Sequence, residues 1–412
     1  MSVRPGSLLR RRVHRPAVTV AGVLALCVVA AGCSAKADNQ GAAKAAAGAS
    51  SSASSSASAP TSAATIKANV ATRGVKVDKV VKLTAKDGRF DSVVVRAGTK
   101  TLAGALSSDK TTWRSTAPLQ PGTKYRVIAA AVDSDGLKAT KRTSFRTEAL
   151  SLDQQTYPSF APVSGETVGI GMPVIVRFDV PVTDKATIER HLSVTNSSHQ
   201  VGAWHWISDS EVHWRPVHYW KPGTTVTVKA DIDSVPAGNG VYGQLSRSST
   251  FRVGSSMVSK VNAKTDQMKT YINGKLARTI PITTGKPGFV TRSGIKVIVE
   301  KFRHKRMDSE TIGIANNSPN GYNLDDVEYA MRVTYSGEFV HAAPWSVGSQ
   351  GYANVSHGCT GMSTSNAAWL YNLSKPGDVV EYTGTDRHMT LDNGYGDWNE
   401  SFQQYKAGSA LS

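Results

Sequence analysis

Beyond about residue 65 the chain consists of short alternating runs of apolar and polar residues, broken at close intervals by Pro, Gly, Asn and Asp, with almost no apolar spacing of helical period. Side chains alternate across a strand, so the pattern predicts half-buried β-strands joined by tight turns. It also repeats. Trp113-Arg114 is followed by Pro121-Gly122-Thr123, and Trp214-Arg215 by Pro222-Gly223-Thr224, with eight residues from Trp to Pro in each copy. Each Pro-Gly-Thr opens an alternating strand, 125–130 in one copy and 226–231 in the other, and each copy closes on Ser144-Phe145-Arg146 or Thr250-Phe251-Arg252. The copies lie about one hundred residues apart, the length of an immunoglobulin-like sandwich. Two such domains are therefore expected at 67–149 and 150–254, serving as a rigid spacer. Carbohydrate binding is the alternative, although aromatic residues in such strands usually serve the core.

The remaining segment, 255–383, keeps the strand pattern. Residues 267–272 and 275–282 flank Asn273-Gly274, a pair suited to a type I′ hairpin turn. Further strands are expected at 295–302, 329–335, 338–342 and 378–382, and one clear helix at 363–373 with Ser363 or Thr364 as its cap. Residues 384–412 are expected to pack on this third domain. The fold class is thus mainly β. Within the second repeat, Trp204-His205-Trp206 and Glu211-Val212-His213-Trp214 flank a polar turn. A hairpin there places the tryptophans on one face and His205, Glu211 and His213 on the other. Two imidazoles and a carboxylate are zinc-ligand types, but their spacing is unlike that of structural zinc sites, and an exposed polar face gives the same pattern. No metal is assigned.

The N-terminal end reads as export machinery. Arg4, Arg10, Arg11, Arg12 and Arg15 precede an apolar stretch over 18–31 that contains Cys27, as in a secretion signal spanning 1–32. Ala30-Ala31-Gly32-Cys33 resembles a lipobox, so Cys33 is the expected lipidation site, and residues 33–66, rich in Ala and Ser, the expected linker. The expected location is the outer face of the cytoplasmic membrane, anchored by lipid and reaching into the cell wall. The chain carries a formal charge of +17, and removing the five leader arginines leaves +12. A basic exported protein suits an anionic wall. Nucleic acid is in the wrong compartment and is not an expected partner.

Cys359 is the one cysteine left after Cys27 and Cys33, and an unpaired thiol in an oxidising compartment asks for a chemical reason. It stands in Ser356-His357-Gly358-Cys359, with a second imidazole, His341, sixteen residues before His357. A thiol requires a base to become a nucleophile, and that base is usually distant in sequence. The order His341, fourteen intervening residues, Ser-His-Gly-Cys resembles the signature of YkuD-type L,D-transpeptidases, cysteine enzymes that cross-link bacterial peptidoglycan. Met307-Asp308-Ser309, Gly321-Tyr322, Tyr335-Ser336-Gly337, Ala342-Ala343-Pro344-Trp345 and Gly396-Asp397-Trp398-Asn399 carry the likeness to the actinobacterial branch.

The resemblance implies a YkuD-type, mostly-β catalytic domain with one or two helices behind the two sandwiches. It implies Cys359 as nucleophile and His341 as general base, with His357 as a supporting residue. Gly358-Cys359-Thr360 can present backbone N–H groups to the developing oxyanion, and Gly358 lets the chain approach closely. Tyr322 overhangs the site in this reading, Ser336 and Gly337 contact substrate, and Met307 and Trp345 line the pocket. The implied partners are a donor tetrapeptide stem and an acceptor amine of peptidoglycan, with no cofactor. Two positions depart from the family. Gly361 stands where many members carry Asn, and Ala342 where close relatives carry Ser, a position whose backbone carbonyl holds the histidine tautomer. Rival readings are an L,D-carboxypeptidase, attachment of wall proteins by the same thioester, and a catalytically silent wall-binding lipoprotein, which Gly361 favours.

Overall fold

The computed structural model describes residues 60–412; the expected leader, Cys33 and most of the linker lie outside the described residues. Three β-rich bodies follow. In the first, the sheet Thr65–Ala68, Lys82–Lys86, Thr112–Ser115, Gly104–Leu106 packs on the sheet Lys100–Thr101, Arg89–Ala97, Lys124–Val132, Lys138–Arg146. Leu83, Val95, Trp113, Val127 and Phe145 meet between them. Ala64 and Ile66 are already buried, and Ser62 Oγ donates to Asp133 Oδ2 at 3.0 Å, so ordered structure begins a few residues ahead of 67.

In the second body, Pro158–Ala161, Val174–Phe178, Glu211–Pro216 and Gly202–Trp206 form one sheet, and Thr167–Val168, Arg247–Val253, Thr225–Ala230 and Leu192–Asn196 the other. The sequence repeat becomes a structural one. Trp113 and Trp214 are both buried, and in both copies the strand after Pro-Gly-Thr pairs antiparallel with the strand bearing Phe145 or Phe251. Gly122 (φ 60°) and Gly223 (φ 82°) occupy the left-handed region that the turn requires.

The third body pairs a five-stranded sheet (Lys275–Pro281, Gln267–Ile272, Met257–Asn262, Val379–Thr383, Gly294–Val297) with a four-stranded one (Glu300–Asp308, Asn323–Arg332, Phe339–Ala342, Thr360–Met362). Asn273 (φ 49°) and Gly274 (φ 79°) make the expected type I′ turn. Helix Thr364–Leu373 is capped by Ser363, whose Oγ accepts from Asn366 N. The strand expected over 295–302 is two strands, because the chain crosses between sheets at Ile298–Val299: Ile298 N donates to Asp378 O and Val299 N to Arg332 O. The strand expected from 329 begins at Asn323. Its acidic first half is held by cross-strand pairs with Arg303, His304 and Arg306, which apolar periodicity does not register.

The second and third bodies share a core, since Val297, Val379, Tyr395 and Trp398 join the cluster of the second sandwich. Gly169 lets the backbones touch: its N donates to Pro376 O at 2.8 Å, and a Cβ there would lie 2.1 Å from Asp378 N. The C-terminal segment extends this junction. Asn393 and Asn399 accept from Ser336 N and Ile295 N of the third body. From Asp397 onward it also straps across the second sandwich. His213 gives Nδ1–H to Asp397 Oδ1 (2.9 Å) and Nε2–H to Glu211 Oε1 (2.7 Å), Arg215 donates to Glu400 O (3.0 Å), and His205 Nδ1 lies 2.7 Å from Tyr405 O. The polar side chains of the face bearing His205 and His213 are therefore engaged rather than left exposed to solvent. The tryptophans of the opposite face enter the sandwich core, and the C-terminal segment covers the polar face.

Candidate active site

Strand Thr360–Met362 runs parallel to Phe339–Ala342 with His341 opposite Gly361. Cys359 stands one residue before that strand, so alternation directs Cys359, Gly361 and His341 to one side of the sheet. Both functional side chains line a cavity of about 340 Å³, together with Met307, Tyr322, Trp345 and His357. The turn that delivers the thiol is fixed from within. Gly358 has φ 119°, a conformation that glycine alone adopts readily; its N–H donates to Ser356 Oγ (3.1 Å), and Ser356 Oγ donates to Cys359 O (2.6 Å). Thr291 Oγ1 donates to Gly358 O at 2.8 Å. The Gly358 N–H is thus committed, whereas the Cys359 N–H donates to no acceptor among the described residues.

His341 is buried and gives Nδ1–H to Ala342 O at 2.7 Å. This fixes the tautomer and leaves Nε2 as the acceptor on the cavity side. Burial holds its pKa below the usual imidazole range, so the ring is neutral. Burial also pushes the Cys359 thiol up to about 11, with Glu338 adding to the rise and the Phe339 N–H, Lys296 and Arg332 opposing it. The Cys359 Sγ–H donates to Gly337 O at 3.6 Å. In this state the pair is a neutral thiol beside a neutral imidazole.

Tyr322 lies over the cavity with its phenol pushed up to about 12 by burial and by Cys359, so it carries its proton. Its ring leans on His357 at 5.0 Å, and Phe289 meets His357 edge-on at 4.7 Å. Burial, with the Lys286 charge adding to it, holds the His357 pKa below the usual imidazole range. Trp345 is half-exposed and stacks on His341 at 5.9 Å; Met307 packs with Tyr322 and Cys359. Ser336 and Gly337 line a neighbouring polar cavity of about 420 Å³, which His357 also borders. Ser336 is tied to Asn393: its N–H donates to Asn393 Oδ1 (2.8 Å), and its Oγ accepts from Asn393 Nδ2 (3.0 Å). Gly361 bonds Thr283 in both directions through its backbone, and a Cβ there would lie 2.9 Å from Ala343 Cβ.

Sequence reasoning missed a buried charge cluster behind the thiol. Glu338 accepts from Arg292 Nη1 at 2.9 Å and from Lys296, whose Nζ sits 3.6 Å from the centre of the Tyr382 ring. Tyr382 in turn shares a 2.9 Å hydrogen bond with Thr360. Burial brings Lys296 down to about 8 against the pull of Glu338. The signal was present: Lys296 interrupts the apolar run Ile295-Lys296-Val297-Ile298-Val299, and a charge in such a strand requires a buried partner.

Known protein families match both parts of the chain. Residues 256–381 match the L,D-transpeptidase catalytic domain and residues 72–236 the bacterial Ig domain. The chain is 38% identical over 339 residues to L,D-transpeptidase 2 of Mycobacterium tuberculosis, covering 82% of each protein. It is 34% identical over 340 residues to L,D-transpeptidase 5 of the same organism, covering 80% of this chain and 73% of that protein. A solved LD transpeptidase in complex with imipenem matches at 37% identity and a TM-score of 0.49, over 56% of this chain and 99% of that one. A relative aligned across both the Ig-like region and the cysteine domain decides the assignment: the chain belongs to the L,D-transpeptidase family.

Proposed function

We propose that this protein is an exported peptidoglycan L,D-transpeptidase that forms 3→3 cross-links through a thioester on Cys359. What supports this reading most directly is the pairing of Cys359 and His341 on adjacent parallel strands, opening into one cavity, with the free nitrogen of His341 on the cavity side. Substrate displaces the thiol from Gly337 O, and the Sγ proton passes to His341 Nε2 as sulfur attacks the carbonyl carbon of the third stem residue. The Cys359 N–H and the Tyr322 hydroxyl are the donors for the oxyanion. Collapse breaks the amide bond, and the departing D-alanine nitrogen takes the proton from His341. An acceptor amine then attacks the thioester, gives its proton to His341 and frees the thiolate, which is reprotonated. His357 is a positioning residue held between Phe289 and Tyr322, and Met307 and Trp345 shape the donor channel. The two sandwiches act as a stalk continuous with the catalytic domain, and lipid on Cys33 anchors the stalk to the membrane.

Incubation with disaccharide tetrapeptide tests the proposal. Cross-linked dimers with released D-alanine, identified by mass spectrometry, are expected. Tripeptide alone assigns the protein to hydrolysis instead.

A further inference from the structure

The outer face of the sheet Lys100–Thr101, Arg89–Ala97, Lys124–Val132, Lys138–Arg146 in the first sandwich is not an ordinary solvated surface. Register places Arg96 directly opposite Arg126, and Lys124 directly opposite Arg146. Arg142 lies four residues from Arg146 on the outer strand, one level beyond Arg126 and opposite the exposed Ile128. All five cations are exposed, and none has an ion-pair partner among the described residues. The acid on this face, Asp91, sits at the far end and pairs with Lys138. Like charges directly opposite each other on a sheet are destabilising, and this face has two such pairs. Edge protection by cations accounts for Arg142 and Arg146 on the edge strand, but not for Arg96 and Arg126 on the inner strands.

We propose that this face binds a linear polyol-phosphate polymer of the cell wall. The cations form three levels along the strands, Lys124/Arg146, Arg96/Arg126 and Arg142, separated by two-residue steps of about 6.6 Å. That step is comparable to the phosphate repeat of an extended polyol phosphate, and guanidinium groups, three of them in the two upper levels, favour bidentate phosphate contacts. The inference rests on the reading of the protein as a wall enzyme. It gives the stalk a second role beyond spacing, which is to concentrate the catalytic domain where the polymer is dense.

Poly(glycerol phosphate) of defined length is the probe, titrated against the full protein carrying Cys359→Ala, so that binding is read independently of cross-linking. Binding that weakens with salt is expected, and Arg126→Glu with Arg142→Glu should lower affinity by at least about tenfold. Lys229→Glu with Lys269→Glu, an equal change in net charge on the other two domains, should leave it within about twofold. Arg126→Glu alone relieves the repulsion with Arg96 and should raise the melting temperature while weakening binding, which separates the loss from misfolding. The proposal is overturned by no binding, by equal losses in the two double variants, or by tighter binding to poly-glutamate or to phosphatidylglycerol vesicles.

Discussion

The Cys359 thiol donates its proton to the carbonyl oxygen of Gly337, 3.6 Å away, rather than to His341. Papain-like pairs rest as thiolate and imidazolium; here burial of both groups favours the neutral forms. The resting thiol should therefore react slowly with iodoacetamide at pH 7. Its alkylation rate should keep climbing past pH 9, with a midpoint well above the value near 8.5 of a free cysteine. A midpoint below 8 would show a preformed ion pair.

Gly361 is a packing requirement in this chain, whatever other members of the family carry. A Cβ there meets Ala343 Cβ at 2.9 Å and Thr283 Cγ2 at 3.1 Å. Gly361→Asn should cost about 1–3 kcal/mol in stability and lower kcat/KM rather than restore a lost contact. Calorimetry and steady-state kinetics on one preparation check both.

The strap across the stalk has a pH signature. Burial alone would lower the pKa of His213, but Asp397 and Glu211 outweigh it and raise it to about 9. A raised folded-state pKa contributes stability that is complete below about 6.5 and is lost as pH rises through 9. Thermal stability should fall over that window by roughly 2–4 kcal/mol, and His213→Gln should flatten the dependence. At the acid end, His213 and Arg177 overcome burial and hold Glu211 down to about 2, so its contribution is lost as pH falls from about 4.5 through 2.

Behind the nucleophile, Lys296 and Glu338 form a buried pair. Removing Lys296 alone leaves a buried carboxylate with only Arg292, so Lys296→Met should cost about 3–5 kcal/mol. Lys296→Met with Glu338→Leu should cost less than the sum of the single changes, because the doubly apolar core has no orphaned charge. A double-mutant cycle in urea gives the coupling directly.

The legible parts of the sequence were those with local signatures. Asn273-Gly274 specified its hairpin, the Trp…Pro-Gly-Thr…Phe-Arg repeat specified matching strands in two sandwiches, and the His341 and Cys359 spacing carried the family resemblance. What escaped was non-local. The acidic strand from Asn323 is held by cations on another strand. The polar face of Glu211–Pro216 is closed by Asp397, 184 residues from His213. The Arg292–Glu338–Lys296 cluster exists only once two sheets meet. Of the Gly358, Cys359 and Thr360 N–H groups expected to face the oxyanion, that of Gly358 is held by Ser356 Oγ, a competition that spacing does not reveal.

The central claim is that Cys359, deprotonated by His341, carries the acyl group. Intact-mass measurement after mixing the protein with disaccharide tetrapeptide tests it most directly. The account predicts a wild-type adduct equal to donor minus D-alanine, mapped to the peptide containing Cys359, absent in Cys359→Ala and formed at least about 100-fold more slowly in His341→Ala. An adduct that persists without Cys359, or D-alanine release that survives its removal, would contradict the account.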